Sequence, residues 1–216
     1  MSISKFNNLV INLEDGSRRD WVSLYCSAFD EEQRQPVAEV RELIADGRIL
    51  LFTVRDETTS GKLQAFATVS IHNERELHFA NLDFTAVIVK NRSHGIGTQL
   101  VQHICSYLRA NFPSCIALTI EMDRRNEPGI SVEEVETRNK RARFYNRLNA
   151  RQLPVDYYIL SFDDPDYRGA AEFWALEFDG EIDVREAVFA FYTSQAGYAL
   201  DADNVAVKEV MSQFEN

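Results

Sequence analysis

The chain has 216 residues, 45% of them hydrophobic, which is enough for one substantial core and too apolar for a disordered chain. Against 23 Lys and Arg stand 34 Asp and Glu, a net charge of −11, which excludes a general binder of nucleic acid or anionic membrane. The balance serves solubility and matches cationic ligands.

Residues 1–8 lack the apolar core of a signal peptide, and no stretch has the apolar length to span a bilayer. Residues 9–13 read as a short strand. Residues 17–29 read as a helix with Trp21, Leu24, Tyr25 and Phe29 on one side. A second helix covers 36–46, with Val37, Val40, Leu43 and Ile44 inward and Gly47 as its C-terminal cap. Strands follow at 49–54 and 63–71, joined by the polar turn 57–61, and a further strand at 77–89.

The apolar run 82–89 breaks abruptly into Lys90-Asn91-Arg92-Ser93-His94-Gly95-Ile96-Gly97-Thr98. A helix follows, with Ile96, Leu100, Ile104 and Leu108 at spacing four. Strand, glycine-bearing turn and helix point free backbone N–H groups and a helix N-terminus at one spot, which suits a phosphate or pyrophosphate. Glycine permits φ > 0 and a close approach of backbone to ligand. Arg92 offers a planar donor fork, and Thr98 adds a hydroxyl. No Gly-Lys-Ser/Thr follows, so the turn is not a Walker A loop, and the Gly-x-Gly-x-x-Gly fingerprint is absent.

Residues 115–122 read as a strand and 141–150 as a late helix. Strands are expected at 155–160 and 172–178, with a polar connection at 163–169 between them. A helix at 184–192, a turn around Gly197 and a last helix at 202–214 complete the chain. With no linker and no repeat, residues 1–216 form a single expected domain: a core of about 5–162 and a C-terminal elaboration of about 163–216. Cys26, Cys105 and Cys115 read as reduced core thiols of a cytoplasmic protein. His72, His78, His94 and His103 have no metal-ligand spacing, and Gly-x-Ser-x-Gly is absent, so neither a metal site nor a serine hydrolase is expected.

Arg92-x-x-Gly95-x-Gly97, between an apolar strand and an amphipathic helix, resembles motif A of the GCN5-related N-acetyltransferases, the GNAT family. Arg141-Ala142-Arg143-Phe144-Tyr145-Asn146-Arg147-Leu148-Asn149-Ala150 resembles the family's late helix, with Asn149 in place of its terminal glycine. Asn tolerates the left-handed conformation that such a stop requires.

The resemblance implies an α/β (α+β) fold: a mixed, mostly antiparallel central sheet flanked by helices, here with a C-terminal helical extension. It implies acetyl-CoA as cosubstrate, its pyrophosphate held by Arg92, Ser93, His94, Gly95, Ile96, Gly97 and Thr98. The backbones of Ile88 and Val89 would bond the pantetheine arm, with their side chains in the core. An amine attacks the thioester directly in a ternary complex; Tyr145 is the expected acid for the leaving thiolate. Glu121 is preferred over Asp83 as the base, with Asp123 helping to hold a cationic acceptor; the bland reading of each is a solvated strand-end acid. Asn139 stands six residues before Tyr145 where the family has seven, which puts its cofactor contact in doubt. The expected partner is a small-molecule or peptide amine, with no nucleic acid and no membrane; homodimerisation is left open. Two other readings stand beside the enzyme: a CoA-binding sensor or interaction module with little catalysis, and a cofactor-free protein whose glycine turn is structural.

Overall fold

The computed structural model describes residues 8–72, 78–160, 168–178, 180–194 and 197–215. Strands β1 (Leu9–Glu14), β2 (Ile49–Asp56), β3 (Lys62–His72) and β4 (Phe79–Val87) form an antiparallel run. β5 (Ala117–Asp123) joins β4 in parallel, and β8 (Gly169–Glu177) lies antiparallel to β5. The short β6 (Arg151–Gln152) and β7 (Tyr157–Ile159) both pair with β8. The order is β1-β2-β3-β4-β5-β8-β6, mixed and mostly antiparallel as expected.

Helices cover both faces. α3 (Ile96–Asn111) and α4 (Val132–Asn146) share one core with Phe52, Ala67, Leu82, Leu118, Ile120 and Trp174. Neighbouring residues along each strand face the other side. There α1 (Asp20–Ala28) and α2 (Val37–Ala45) pack on Ile49, Leu51, Phe66 and Phe84. On that same side α5 (Val184–Thr193) and α6 (Val205–Met211) pack on Phe79, Ala117 and Phe173.

The helices form where the apolar spacing predicts. In α3, Ile96, Leu100, Ile104 and Leu108 are all buried, one turn apart. Trp21 and Tyr25 do the same for α1 and are wholly buried. α4 is polar, burying only Ala142 and Tyr145, and its start is fixed by the Ser131 side chain, which accepts from the Glu134 N–H. β2 is tied to α1 through Arg55, whose guanidinium, 4% exposed as a residue, is held by Glu14 and Asp20.

Two features of the sheet shape the site. The β4–β5 pairing ends at Asn81↔Thr119; beyond it β4 keeps its pairing with β3 and β5 its pairing with β8, but residues 82–87 and 120–123 do not pair with each other and the strands splay. The β3–β4 register slips between Thr68 and Val69, leaving Asp83 as an extra residue in β4.

The sheet runs past residue 162, with β8 seated between β5 and β6. Several expectations are corrected. Residues 88–89 are not strand: a single 3-10 turn covers Val89–Asn91, and Val89 is 73% exposed rather than core. α4 starts well before residue 141. Cys26 is exposed, since one residue past the buried Tyr25 turns a helical side chain about 100° away. Cys105 and Cys115 are buried. The expected strand start at Leu77, most of the 163–169 connection and residues 1–7 lie outside the described residues.

Candidate active site

At the end of β4 the chain makes a cradle of amides. Ser93 has φ +63 and Gly95 φ +84, two left-handed positions around His94. The first helical bond of α3 is Gln99 N–H to Gly95 O at 3.0 Å. Among the described residues, the N–H groups of Ile96, Gly97 and Thr98 therefore find no acceptor. A Cβ on Gly97 would sit 3.4 Å from the Phe144 ring, at ordinary contact distance, so α4 packs directly against the first turn of α3. Arg92 is exposed beside the cradle, and its Nε donates to Val87 O at 3.3 Å. Donors aimed at one point, a helix dipole and a nearby cation suit a pyrophosphate.

The backbone edge of β4 differs in detail from expectation. Ile88 N–H already donates to Gln64 O of β3 at 2.9 Å. Alternation along the strand turns the backbone groups of Thr85 and Val87 toward the splay instead. Thr85 and Val87, rather than Ile88, are thus the β4 residues whose backbone groups face the splay, the Val87 carbonyl already accepting from Arg92 Nε. The Val89 carbonyl is engaged by Arg92 N–H at 3.2 Å within the 3-10 turn.

On the α1/α5 face the floor of the splay carries two carboxyl groups. Asn81 and Thr119 are paired across β4 and β5, and Asp83 and Glu121 stand just beyond them. Asp83 accepts from Ser70 Oγ at 2.8 Å and Asn81 Nδ2 at 2.9 Å. Burial pushes its pKa up to about 7 against these two bonds. Glu121 Oε1 accepts from Tyr157 Oη at 2.5 Å and Tyr198 Oη at 3.2 Å, and Oε2 takes no bond among the described residues. Burial pushes Glu121 up to about 8; the tyrosine bonds oppose this, and the charges of Asp83 and Asp123 add to it. Asp123 is engaged by Arg141 at 3.0 Å rather than standing free.

This cradle and splay agree with what the chain resembles. Residues 18–132 match the acetyltransferase (GNAT) family. The chain belongs to that family. No curated protein matches it. Among solved structures, Arabidopsis thaliana NAA60 in complex with acetyl-CoA is 14% identical, covering 80% of this chain and 99% of that one at a TM-score of 0.58. The ribosomal-protein-S18-alanine N-acetyltransferase of Escherichia coli is 17% identical, covering 82% and 97% at 0.55. An aminoglycoside 6'-N-acetyltransferase complexed with coenzyme A is 15% identical, covering 81% and 99% at 0.59. At these identities the likeness is one of fold.

In this GNAT chain Tyr145 lies across the sheet from Glu121, in the core shared by α3, α4 and β5. It is 4% exposed, and its hydroxyl has no partner among the described residues. Burial raises its pKa to about 12, with Arg141 opposing, so the phenol keeps its proton at neutral pH. Asn149 has φ +68 and ends the late helix in the left-handed conformation expected of it. Asn139 is half-buried on α4, and no hydrogen bond holds its side chain among the described residues. His72 is buried beside Phe191 with neither ring nitrogen partnered among the described residues, and desolvation drives its pKa down to about 3. His94 and His103 are exposed. Among the described residues no three His, Cys, Asp or Glu are grouped to hold a metal, and no helix is long and apolar enough to cross a membrane. Sequence reading missed Tyr157, Tyr198, Asn81 and Ser70. Strand alternation alone places Tyr157 inward, and nothing local announces the other three.

Proposed function

We propose that this chain is an N-acetyltransferase that moves the acetyl group of acetyl-CoA to an amine by direct attack in a ternary complex. The observation that carries the reading is the splay between β4 and β5, with an amide cradle at its end, Glu121 on one face and Tyr145 on the other. The cradle fits a pyrophosphate on its own chemistry, through the acceptor-less amides of Ile96, Gly97 and Thr98 beside Arg92. Backbone groups of Thr85 and Val87 would hold the pantetheine arm. Bound there, acetyl-CoA supplies an activated thioester carbonyl.

The protein's own groups handle protons and charge. Asp83, and Glu121 once it ionises near pH 8, form an acidic floor that draws an ammonium group. Only the neutral amine attacks, so Glu121 accepts its proton at Oε2, the oxygen left open. A carboxyl group near pH 8 does this without demanding strongly basic conditions. Tyr145, still protonated, donates to the departing thiolate from the opposite face. The three unpaired thiols fit a reducing compartment, and we place the protein in the cytoplasm. The acceptor is an amine on a small molecule or a peptide.

The test is calorimetric titration with acetyl-CoA, with free CoA and ATP as comparisons, followed by an acceptor screen over amines and peptides. Micromolar binding of both CoA forms and turnover with one acceptor class support the reading. Well-folded protein that binds neither CoA form refutes it.

A further inference from the structure

The turn that follows α5 reaches back into the site. It is held by Tyr198 N–H to Phe191 O at 3.4 Å, Ala199 N–H to Ser194 O at 2.8 Å and Leu200 N–H to Tyr192 O at 2.9 Å. Its backbone is demanding. Ala199 takes φ +54, and a Cβ on Gly197 would lie 2.0 Å from the Phe191 carbonyl oxygen, so only glycine fits there. This costly geometry fixes where the Tyr198 ring goes.

The ring ends at Glu121. Tyr198 Oη accepts from Leu160 N–H at 3.2 Å and donates to Glu121 Oε1 at 3.2 Å. Tyr157 Oη donates to the same oxygen at 2.5 Å. Tyr157 is clamped in turn between Phe173 and Tyr192, with ring centroids at 4.7 and 5.2 Å, and Tyr192 Oη donates to Tyr158 O at 2.7 Å. Two fixed phenols therefore converge on Oε1 while Oε2 has no partner among the described residues. Both lie beyond residues 18–132, the part that matches the family, Tyr198 the farther.

We infer that the segment after α5 is part of the active site, and that Tyr198, together with Tyr157, is a positioning residue that holds Glu121 by Oε1 and reserves Oε2 for the acceptor's proton. The inference rests on reading Glu121 as the base. The groups facing Glu121 are Asp83 from β4, Asp123 from its own strand, Tyr157 from β7, Tyr192 from α5 and Tyr198. Of these, only the Tyr157 and Tyr198 hydroxyls donate to its carboxylate. Removing one raises the carboxyl group's proton affinity.

The experiment is an NMR titration of carboxyl-13C-glutamate in the whole chain, for wild type, Tyr198→Phe and Tyr157→Phe. It needs no acceptor and no turnover. The Glu121 midpoint is expected to rise in Tyr198→Phe by roughly half to one pH unit, the share of one neutral hydrogen bond. Tyr157→Phe is expected to raise it at least as much. Where an acceptor is known, the acid limb of kcat/KM moves up with the midpoint in Tyr198→Phe. A Glu121 midpoint that stays put or falls in both variants overturns the inference. A midpoint that rises while the acid limb stays put supports the holding role and removes Glu121 as the base, so the two claims fail separately.

Discussion

Replacing Glu121 by Gln separates the two consequences of a buried carboxyl group. The glutamine oxygen can still accept from Tyr157 and Tyr198, so packing and hydrogen bonds persist while the titration disappears. In the folded chain Glu121 holds its proton to about pH 8, whereas the unfolded chain releases it near 4.5. Between those values the folded state binds more protons, so stability falls as pH rises through the window. The span from 4.5 to about 8, at about 1.36 kcal/mol per pH unit, caps the loss at roughly 5 kcal/mol. Partial opening of the side chain to the cleft reduces this, and we expect about 2–3 kcal/mol. Urea denaturation should find Glu121→Gln and wild type within about 1 kcal/mol at pH 5 and the variant more stable by about 2–3 kcal/mol at pH 9. Acetyl transfer should fall by about 100-fold or more above pH 8, where wild-type Glu121 is ionised, and by progressively less at lower pH. Equal midpoints at pH 9, with equal slopes, would refute the argument that burial holds this carboxyl group neutral.

Gly95→Glu places charge and bulk in the cradle; nothing lies within 4 Å of the added Cβ, so the fold survives a backbone strain of about 1–2 kcal/mol. Calorimetry should show acetyl-CoA affinity reduced at least about 100-fold, by the charge set against the pyrophosphate. Tyr145→Phe removes a hydroxyl with no partner among the described residues, so thermal stability and acetyl-CoA binding should hold while kcat drops by about 100-fold in a steady-state assay. An unchanged kcat would return Tyr145 to a packing role. Arg55→Ala strands the Glu14 carboxylate, 12% exposed, against a partner that is gone; denaturation should report a loss of about 3–5 kcal/mol.

Much of the fold is legible because its determinants are local. Gly95 and Asn149 mark left-handed backbone through their own conformational preferences, and the spacing of Ile96, Leu100, Ile104 and Leu108 specifies α3 with no tertiary knowledge. What escaped sequence reading depends on partners. Which backbone groups of β4 face the splay is decided by β3, through the bond from Ile88 to Gln64, and by the extra residue at Asp83. β8 enters the sheet out of sequence order, between β5 and β6, a placement that no local pattern announces. Glu121 was visible as a strand-end acid, but its state was not. The two hydroxyls that hold it come from 36 and 77 residues away, a distance no pattern within one element can report.

The uneven placement of the three thiols has a practical consequence. Cys105 and Cys115 are buried and their pKa values are raised to about 11 by that burial, so they present almost no thiolate near neutral pH. Cys26 alone is exposed, on the helix whose Tyr25 packs edge-on against Phe84 with ring centroids 4.9 Å apart, next to Asp83. The unaltered chain therefore carries one addressable handle for a maleimide dye. A fluorophore attached there would sit on the solvent side of α1, one residue from the buried Tyr25.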